Sequence, residues 1–369
     1  MSRSDMPLAE ALNRATALRR AEADELLTAA QARRMRWHAQ LLGGSSLTPA
    51  EVVRRAVALQ GQDLPGVLRA IAIRSRAGTT LADVRAAFAA GELVRSWPMR
   101  GTLFATTPEQ LAALLHFTGE RLHRAAARRR TDLGLDDRVV DAAREVLLDG
   151  LGSRPLTRAE VLASWEDAGI GTTEGRGYHL IAHFAIAGLV HWGAFAGSGS
   201  EQLLTLSPAN VPADPDAALA AVVRGYVSAR GPVSESDLAW WTKLPLGVLR
   251  RAVASVDDVV TVSVDGAPAW MIGEPAPAAA SGVTLIPAFD EWILGYADRS
   301  LVASPRMLEA LVPGNNGVFR PGILVDGVVV GTWRMPRGKA PVIELVEPVP
   351  ARTRRAIDAA ISDWPHAAD

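Results

Sequence analysis

The sequence predicts an α+β protein of three tandem winged-helix modules, each a helix-turn-helix followed by a β-wing, with a C-terminal β-rich subdomain. Three observations predict it. Apolar residues recur at helical spacing on both sides of a tight polar break, Leu59-Gln60-Gly61-Gln62-Asp63-Leu64-Pro65. Two short extended runs around a turn follow those helices, and the same order of helices then ribbon returns twice more. From about Ser281 onward, strand-like runs dominate.

Residues 1–25, rich in Ala, Arg and Glu without a strong apolar face, read as an N-terminal extension. The first module, 26–107, starts with a helix from about Leu27 to Leu42 that stops at Gly43-Gly44. Ser46 or Thr48 caps the next helix, whose apolar set is Val52, Val53, Ala56, Val57 and Leu59. Gly61 is read as the residue that ends it. Asp63 caps the following helix, Pro65 occupies its first turn, and Val67, Leu68, Ile71 and Ala72 form its apolar face. Another helix runs from Thr80 to near Gly91, and Leu93 to Ala105 forms the first ribbon.

A helical linker occupies 108–156. The second module, 157–212, has Thr157 opening a helix through Trp165 and a second helix from about Glu174 to Gly188. Its wing strands, Leu189 to Trp192 and Gln202 to Leu206, are separated by the Gly/Ser segment 197–200. In the third, 213–280, helices run from Asp216 to Ala229, after the Ser234 cap, and through Val253. Asp265-Gly266 then turns a hairpin. The last region, 281–369, holds a strand at Val283–Ile286, a hairpin at Asp326-Gly327, a strand from Val342 and a closing helix from Arg352 to Asp363. Three modules in tandem enclose a concave surface.

A chain of 369 residues exceeds one ordinary core and calls for several domains. Lys plus Arg (39) balance Asp plus Glu (40), so a nucleic-acid surface has to be local rather than global. The absence of cysteine excludes disulfides, thiol catalysis and thiolate zinc. With no apolar run of membrane length and no apolar leader, the expected compartment is the cytoplasm and no membrane partner is expected.

Gln60 and Gln62 are the candidate catalytic pair. Residues two apart lie about 200° apart on a helix but share one side of an extended segment, so the two carboxamides meet only where the helix is broken. Arg121, Arg124 and Arg128 share one helix face, which either neutralises phosphates or is simply solvated. Arg95, Arg100, Arg299, Arg320, Arg334 and Arg337 sit in or beside hairpins and turns, where binding groups concentrate. Asp290, Glu291 and Asp298 either cap turns and pair with Arg299 or face the glutamines. His179 and His183 stand four apart without an intervening Glu, and no phosphate loop or nucleophile elbow occurs. Neither metal nor cofactor is expected.

Gln60-Gly61-Gln62-Asp63, Val94 to Leu103, Arg176 to Leu180, Phe289 to Ser300, Gly317 to Pro321 and Gly331-Thr332-Trp333-Arg334 resemble, in matching order over roughly residues 27 to 350, the AlkZ-like DNA glycosylase family of tandem winged-helix proteins. The resemblance implies Gln60 and Gln62 as the family's Gln-x-Gln catalytic signature. The expected DNA-binding groups are Arg95, Trp97, Arg100, Thr102, Arg121, Arg124, Arg128, Arg299, Arg320 and Arg334. The implied substrate is double-stranded DNA carrying alkylated purines, in repair or in self-resistance to alkylating natural products, handled by a monofunctional, monomeric enzyme. One departure stands out: Phe104 follows Thr102-Leu103 where the family block reads histidine. A non-catalytic winged-helix DNA-binding protein or transcriptional regulator is the alternative that the same modules serve.

Overall fold

Capping side chains set most helix starts in this protein. The computed structural model describes residues 26–197, 199–208, 211–274, 282–336 and 339–365; the extension 1–25, Ser198 and Arg337 fall outside the described residues. Strand β1 (Leu26–Leu27) leads into α1 (Ala29–Ala39) and α2 (Pro49–Ala56), opened by Thr28 and Thr48, each in a reciprocal box with Gln31 or Glu51. A short strand, β2 (Ala58–Gln60), separates α2 from α3 (Leu64–Ala72), and Thr80 opens α4 (Leu81–Ala89). Strands β3 (Val94–Met99) and β4 (Thr102–Thr106) complete the first unit.

Two long helices follow, α5 (Pro108–Asp132) and α6 (Asp137–Ser153). The second unit is α7 (Arg158–Asp167), α8 (Arg176–Ile186), β5 (Val190–Phe195) and β6 (Gln202–Leu206). The third is α9 (Pro215–Arg230), α10 (Glu235–Thr242), α11 (Leu246–Ala254), β7 (Val259–Val264) and β8 (Ala267–Ile272). The C-terminal region holds β9 (Val283–Ile286), α12 (Glu291–Leu294), α13 (Pro305–Leu311), β10 (Gly322–Val325), β11 (Val328–Arg334), β12 (Val342–Leu345) and α14 (Ala351–Ser362). The architecture is thus mixed α+β.

The break between α2 and α3 differs from the expectation. Helix α2 ends at Ala56, because Val57 adopts φ 67°, and the chain then extends as β2 rather than staying helical to Leu59. Gly61 is not the helix terminator. It is needed for close approach: a Cβ there would lie 3.1 Å from the Ala105 nitrogen and the Phe104 carbonyl carbon.

Pairing of the hairpins also departs from three separate wings. Sheet order β2-β4-β3-β5-β6 joins the first two hairpins, with Arg95 opposite Trp192 at the junction and Gln60 opposite Phe104. The third hairpin instead takes β1 as a parallel neighbour of β7. Strands β9 to β12 form an antiparallel sheet in the order β12-β11-β10-β9. Both residues of the Asp265-Gly266 and Asp326-Gly327 turns have positive φ, as the tight hairpin turn requires, and so do Arg100 and Gly101 between β3 and β4.

One apolar core gathers Val57 and Phe104 with Tyr226, Trp241 and Tyr296, so the first unit, the third unit and the C-terminal region bury side chains against one another. Each such side chain contributes about 1.5–3 kcal/mol by leaving water. That shared core fixes β2 relative to α10 and α12, and so places the glutamines.

Candidate active site on the glutamine strand

Strand β2 runs antiparallel to β4, and the Gly61 N–H prolongs the ladder by donating to the Leu103 carbonyl at 2.8 Å. Gln60, 6 % exposed, ends β2, and the exposed Gln62, in the bend just beyond it, lines the same cleft of ≈ 380 Å³. Gln60 Oε1 accepts from the backbone N–H of Gly61 and Gln62 at 3.0 and 3.2 Å, while its Nε2 donates to Thr102 Oγ1 at 3.3 Å. Both oxygen lone pairs of Gln60 are therefore engaged. Among the described residues Gln62 Oε1 accepts from the Leu103 N–H, at 3.3 Å, which leaves a second lone pair for the cleft.

Arg100, Arg299, Trp240, Phe289 and Phe319 complete the walls. Arg100 donates to the Leu294 carbonyl at 3.0 Å and lies 4.5 Å from the Trp240 ring centre and 5.0 Å from that of Phe104. Its Nη2 is buried without a hydrogen-bond partner among the described residues. Arg299 donates to the Ile293 carbonyl at 2.9 Å and lies 5.4 Å from both Trp240 and Phe319. Burial pushes the Arg100 guanidinium down to about 10 and lowers Arg299 as well, yet Arg100 stays cationic at neutral pH. Phe289 holds φ 56°, a left-handed conformation that costs a bulky residue on the order of 1–3 kcal/mol and that sets its ring 5.8 Å from Phe319. The cleft thus combines neutral carboxamides, cations and aromatic faces.

Beneath the strand lies a buried ionic anchor. Glu291, 2 % exposed, accepts the Gln60 N–H through Oε1 at 3.1 Å. Its Oε2 accepts from Arg230 at 2.7 and 3.1 Å and from Trp241 Nε1 at 3.0 Å. Arg230 also donates to the carbonyls of Ala56 and Ala58, both at 2.9 Å, and so clasps β2 from α9. Beside it Asp290 caps α12 and accepts both terminal nitrogens of Arg74 at 2.8 and 2.9 Å. Asp290 and Glu291 therefore pair with Arg74 and Arg230, not with Arg299. Asp298 caps a turn through the Ser300 N–H at 2.8 Å.

The remaining sequence candidates scatter. Arg95 donates to the Gly61 carbonyl at 2.6 Å and to Gln202 at 3.3 Å, so it braces the glutamine strand from β3. Trp97 is 3 % exposed and lines a neighbouring pocket with Arg100 and Arg121. Arg124 and Arg128 are exposed on α5, Arg124 already paired with Glu120. Arg320 pairs with Glu344 at 3.3 Å, and exposed Arg334 ends β11; neither lines the cleft. Phe104 is fully buried against Trp241, so a ring at that position packs under the cleft instead of entering it. The His183 ring lies tilted against that of His123, centroids 4.6 Å apart, and no cluster able to hold a metal ion occurs among the described residues.

Trp240, Phe289, Phe319 and Arg230 were not singled out from the sequence. Trp240 had a readable signal, since adjacent tryptophans on a helix point about 100° apart and only one of them, here the buried Trp241, can enter the core. The left-handed Phe289 and the buried Arg230 have none.

This mixed α+β chain thus brings two carboxamides, two cations and aromatic faces into one cleft. The Streptomyces sahachiroi DNA glycosylase AlkZ matches it with a TM-score of 0.71 at 23 % identity, covering 90 % of this chain and 95 % of that one. The chain belongs to the DNA glycosylase AlkZ-like family, whose model matches residues 53–366. A curated relative from the same organism, the interstrand DNA cross-link repair glycosylase, is 27 % identical over 266 residues, 66 % of this chain and 70 % of the relative. No helix among the described residues is long and apolar enough to cross a membrane.

Proposed function

We propose that this protein hydrolyses the N-glycosidic bond of cationic N7- or N3-alkylated purines in double-stranded DNA, as a monomeric, monofunctional glycosylase of DNA repair or self-resistance. The observation that carries this reading is the meeting of Gln60 and Gln62 at one cleft that no carboxylate lines among the described residues. Hydrolysis of an intact nucleoside calls for an acid to protonate the leaving base. An N7- or N3-alkylpurine already carries positive charge, so its departure needs none. What remains is to hold water near the anomeric carbon and to stabilise charge developing on the sugar, which fixed amide dipoles do without changing ionisation.

The two glutamines divide that work. Gln62, whose oxygen keeps a lone pair, holds the attacking water and faces the developing charge; Gln60, whose oxygen accepts from the Gly61 and Gln62 N–H groups and whose Nε2 is tied to Thr102, fixes the backbone that positions Gln62. Arg100 and Arg299 meet the flanking phosphates, and Trp240, Phe289 and Phe319 offer faces on which a base stacks. The three units of helices followed by a hairpin act as winged helices that surround the duplex, with Arg121, Arg124 and Arg128 on its backbone.

The test is excision of N7-methylguanine from duplex DNA by wild type, Gln60→Ala and Gln62→Ala. Removing one preorganised dipole lowers single-turnover release on the order of 10²-fold, and undiminished release by both variants overturns the assignment.

A further inference from the structure

Trp240, Phe289 and Phe319 all line the glutamine cleft. A base paired inside a duplex has both faces covered by its neighbours, so only a base that has left the stack can lie against such rings. Its departure opens a gap. Proteins that unstack DNA commonly hold a gap of this kind with an apolar side chain inserted between base steps.

The loop from Val312 to Pro321 presents such a side chain. Gly317 and Phe319 line the cleft, and Val318 between them is 54 % exposed. Among the described residues it is the one exposed large apolar side chain whose two chain neighbours both line that cleft. The loop is tied down on both sides of it. Gly314, Asn315 and Gly317 take positive φ, which glycine and asparagine adopt more readily than other residues. The Asn315 N–H donates to the Val312 carbonyl and the Val318 N–H to Asn316 Oδ1, both at 2.9 Å. Beyond it, Phe319 lies against Phe289 and Arg299, and the Arg320 N–H donates to the Leu311 carbonyl at 2.9 Å. Val318 is thus held at the rim of the cleft with its side chain largely in water.

We infer that Val318 enters the base stack where the alkylated purine leaves it, filling the gap while the purine lies against the aromatic rings of the glutamine cleft. The inference rests on the glycosylase reading above and deepens it, because it makes extrusion of the base part of how the duplex is handled. Valine suits the gap chemically. It offers the flanking bases an apolar surface and no side-chain hydrogen-bonding group, so it makes no demand on their sequence.

The experiment uses the full chain and two substrates, N7-methylguanine paired with cytosine and the same lesion in a one-nucleotide bulge, where no pair has to be broken and extrusion costs less. Val318→Ala removes two methyl groups from the inserted surface and is expected to slow single-turnover release from the paired duplex about tenfold. Release from the bulge stays at the wild-type rate, and Val318→Leu, still apolar, keeps that rate on both. A second measurement places 2-aminopurine beside a 2′-fluoro N7-methylguanine, whose glycosidic bond resists hydrolysis. Wild type raises the fluorescence as stacking is broken, and Val318→Ala at saturating protein gives a smaller rise. No loss on the paired duplex, equal loss on both substrates, a leucine variant as slow as the alanine one, or an undiminished fluorescence rise overturns the wedge. Wild type releasing the base from neither substrate instead sinks the glycosylase reading itself.

Discussion

Two arginine-rich regions frame the glutamine strand, and they are built on opposite principles. Below it, Arg230 and Arg74 are buried at 1 % and 2 % exposure and are matched by Glu291 and Asp290 with almost every donor engaged. On α5, Arg121, Arg124 and Arg128 stand in solvent, with Glu120 as the one acidic neighbour that Arg124 has recruited. A buried pair gains little net stability from forming but leaves a costly orphan when one member is lost, whereas an exposed arginine is almost free to change. The same residue type therefore fixes geometry in one place and is available for a partner in the other.

The sharpest way to break that comparison is Glu291→Ala. It strips Arg230, Trp241 and the Gln60 N–H of one acceptor together, and breaking a buried pair costs about 3–5 kcal/mol. Urea denaturation measures it, and a loss below about 1 kcal/mol would show that the carboxylate does not hold the strand. Gly61→Ala comes next, since its new methyl meets the β4 backbone at 3.1 Å; overpacking of this kind costs about 1–3 kcal/mol and shifts both glutamines. Excision should fall more than stability does.

The second unit supplies an intermediate case with a pH signature. His183 and His191 are pushed down to about 4, mainly by burial, with His123 and Arg130 adding to the shift at His183. Their folded-state values lie below the ordinary histidine value of 6.5, so the unfolded chain binds protons first as pH falls. Stability is fully present above 6.5 and declines toward about 4. Thermal melts across that window should flatten in a His183→Gln, His191→Gln double variant; an unchanged slope would remove both histidines as the cause. The smallest stability effect belongs to α5. Replacing Arg121, Arg124 and Arg128 with Gln should change stability by no more than about 0.5 kcal/mol, yet reduce the salt dependence of duplex binding by about 2 in log–log slope, Arg124 being already neutralised by Glu120.

Much of this was legible from residue order alone. Thr48, Thr80, Thr157 and Ser234 announce helix starts, and the Asp265-Gly266 and Asp326-Gly327 turns are where alternation implied them. Gln60 and Gln62 line one cleft, although only Gln60 lies on the strand that follows the left-handed Val57 and the chain bends at Gln62. What stayed hidden depends on partners far away in sequence. No local pattern distinguishes Arg230, clamped inside the core, from Arg128 in water, and nothing before Phe289 signals its left-handed backbone. Arg95 was legible as important but not in its role, which is to grip the Gly61 carbonyl.

The hydrogen bond from Gln60 to Glu291 spans 231 positions of chain. At a synthesis rate of about 5–20 residues per second, the ribosome delivers the acceptor roughly 12–46 s after the donor. Throughout that interval the nascent polypeptide carries its glutamines without the brace that aligns them. Chains abandoned before residue 291 would never receive that acceptor, so a truncated product would keep both carboxamides without their brace.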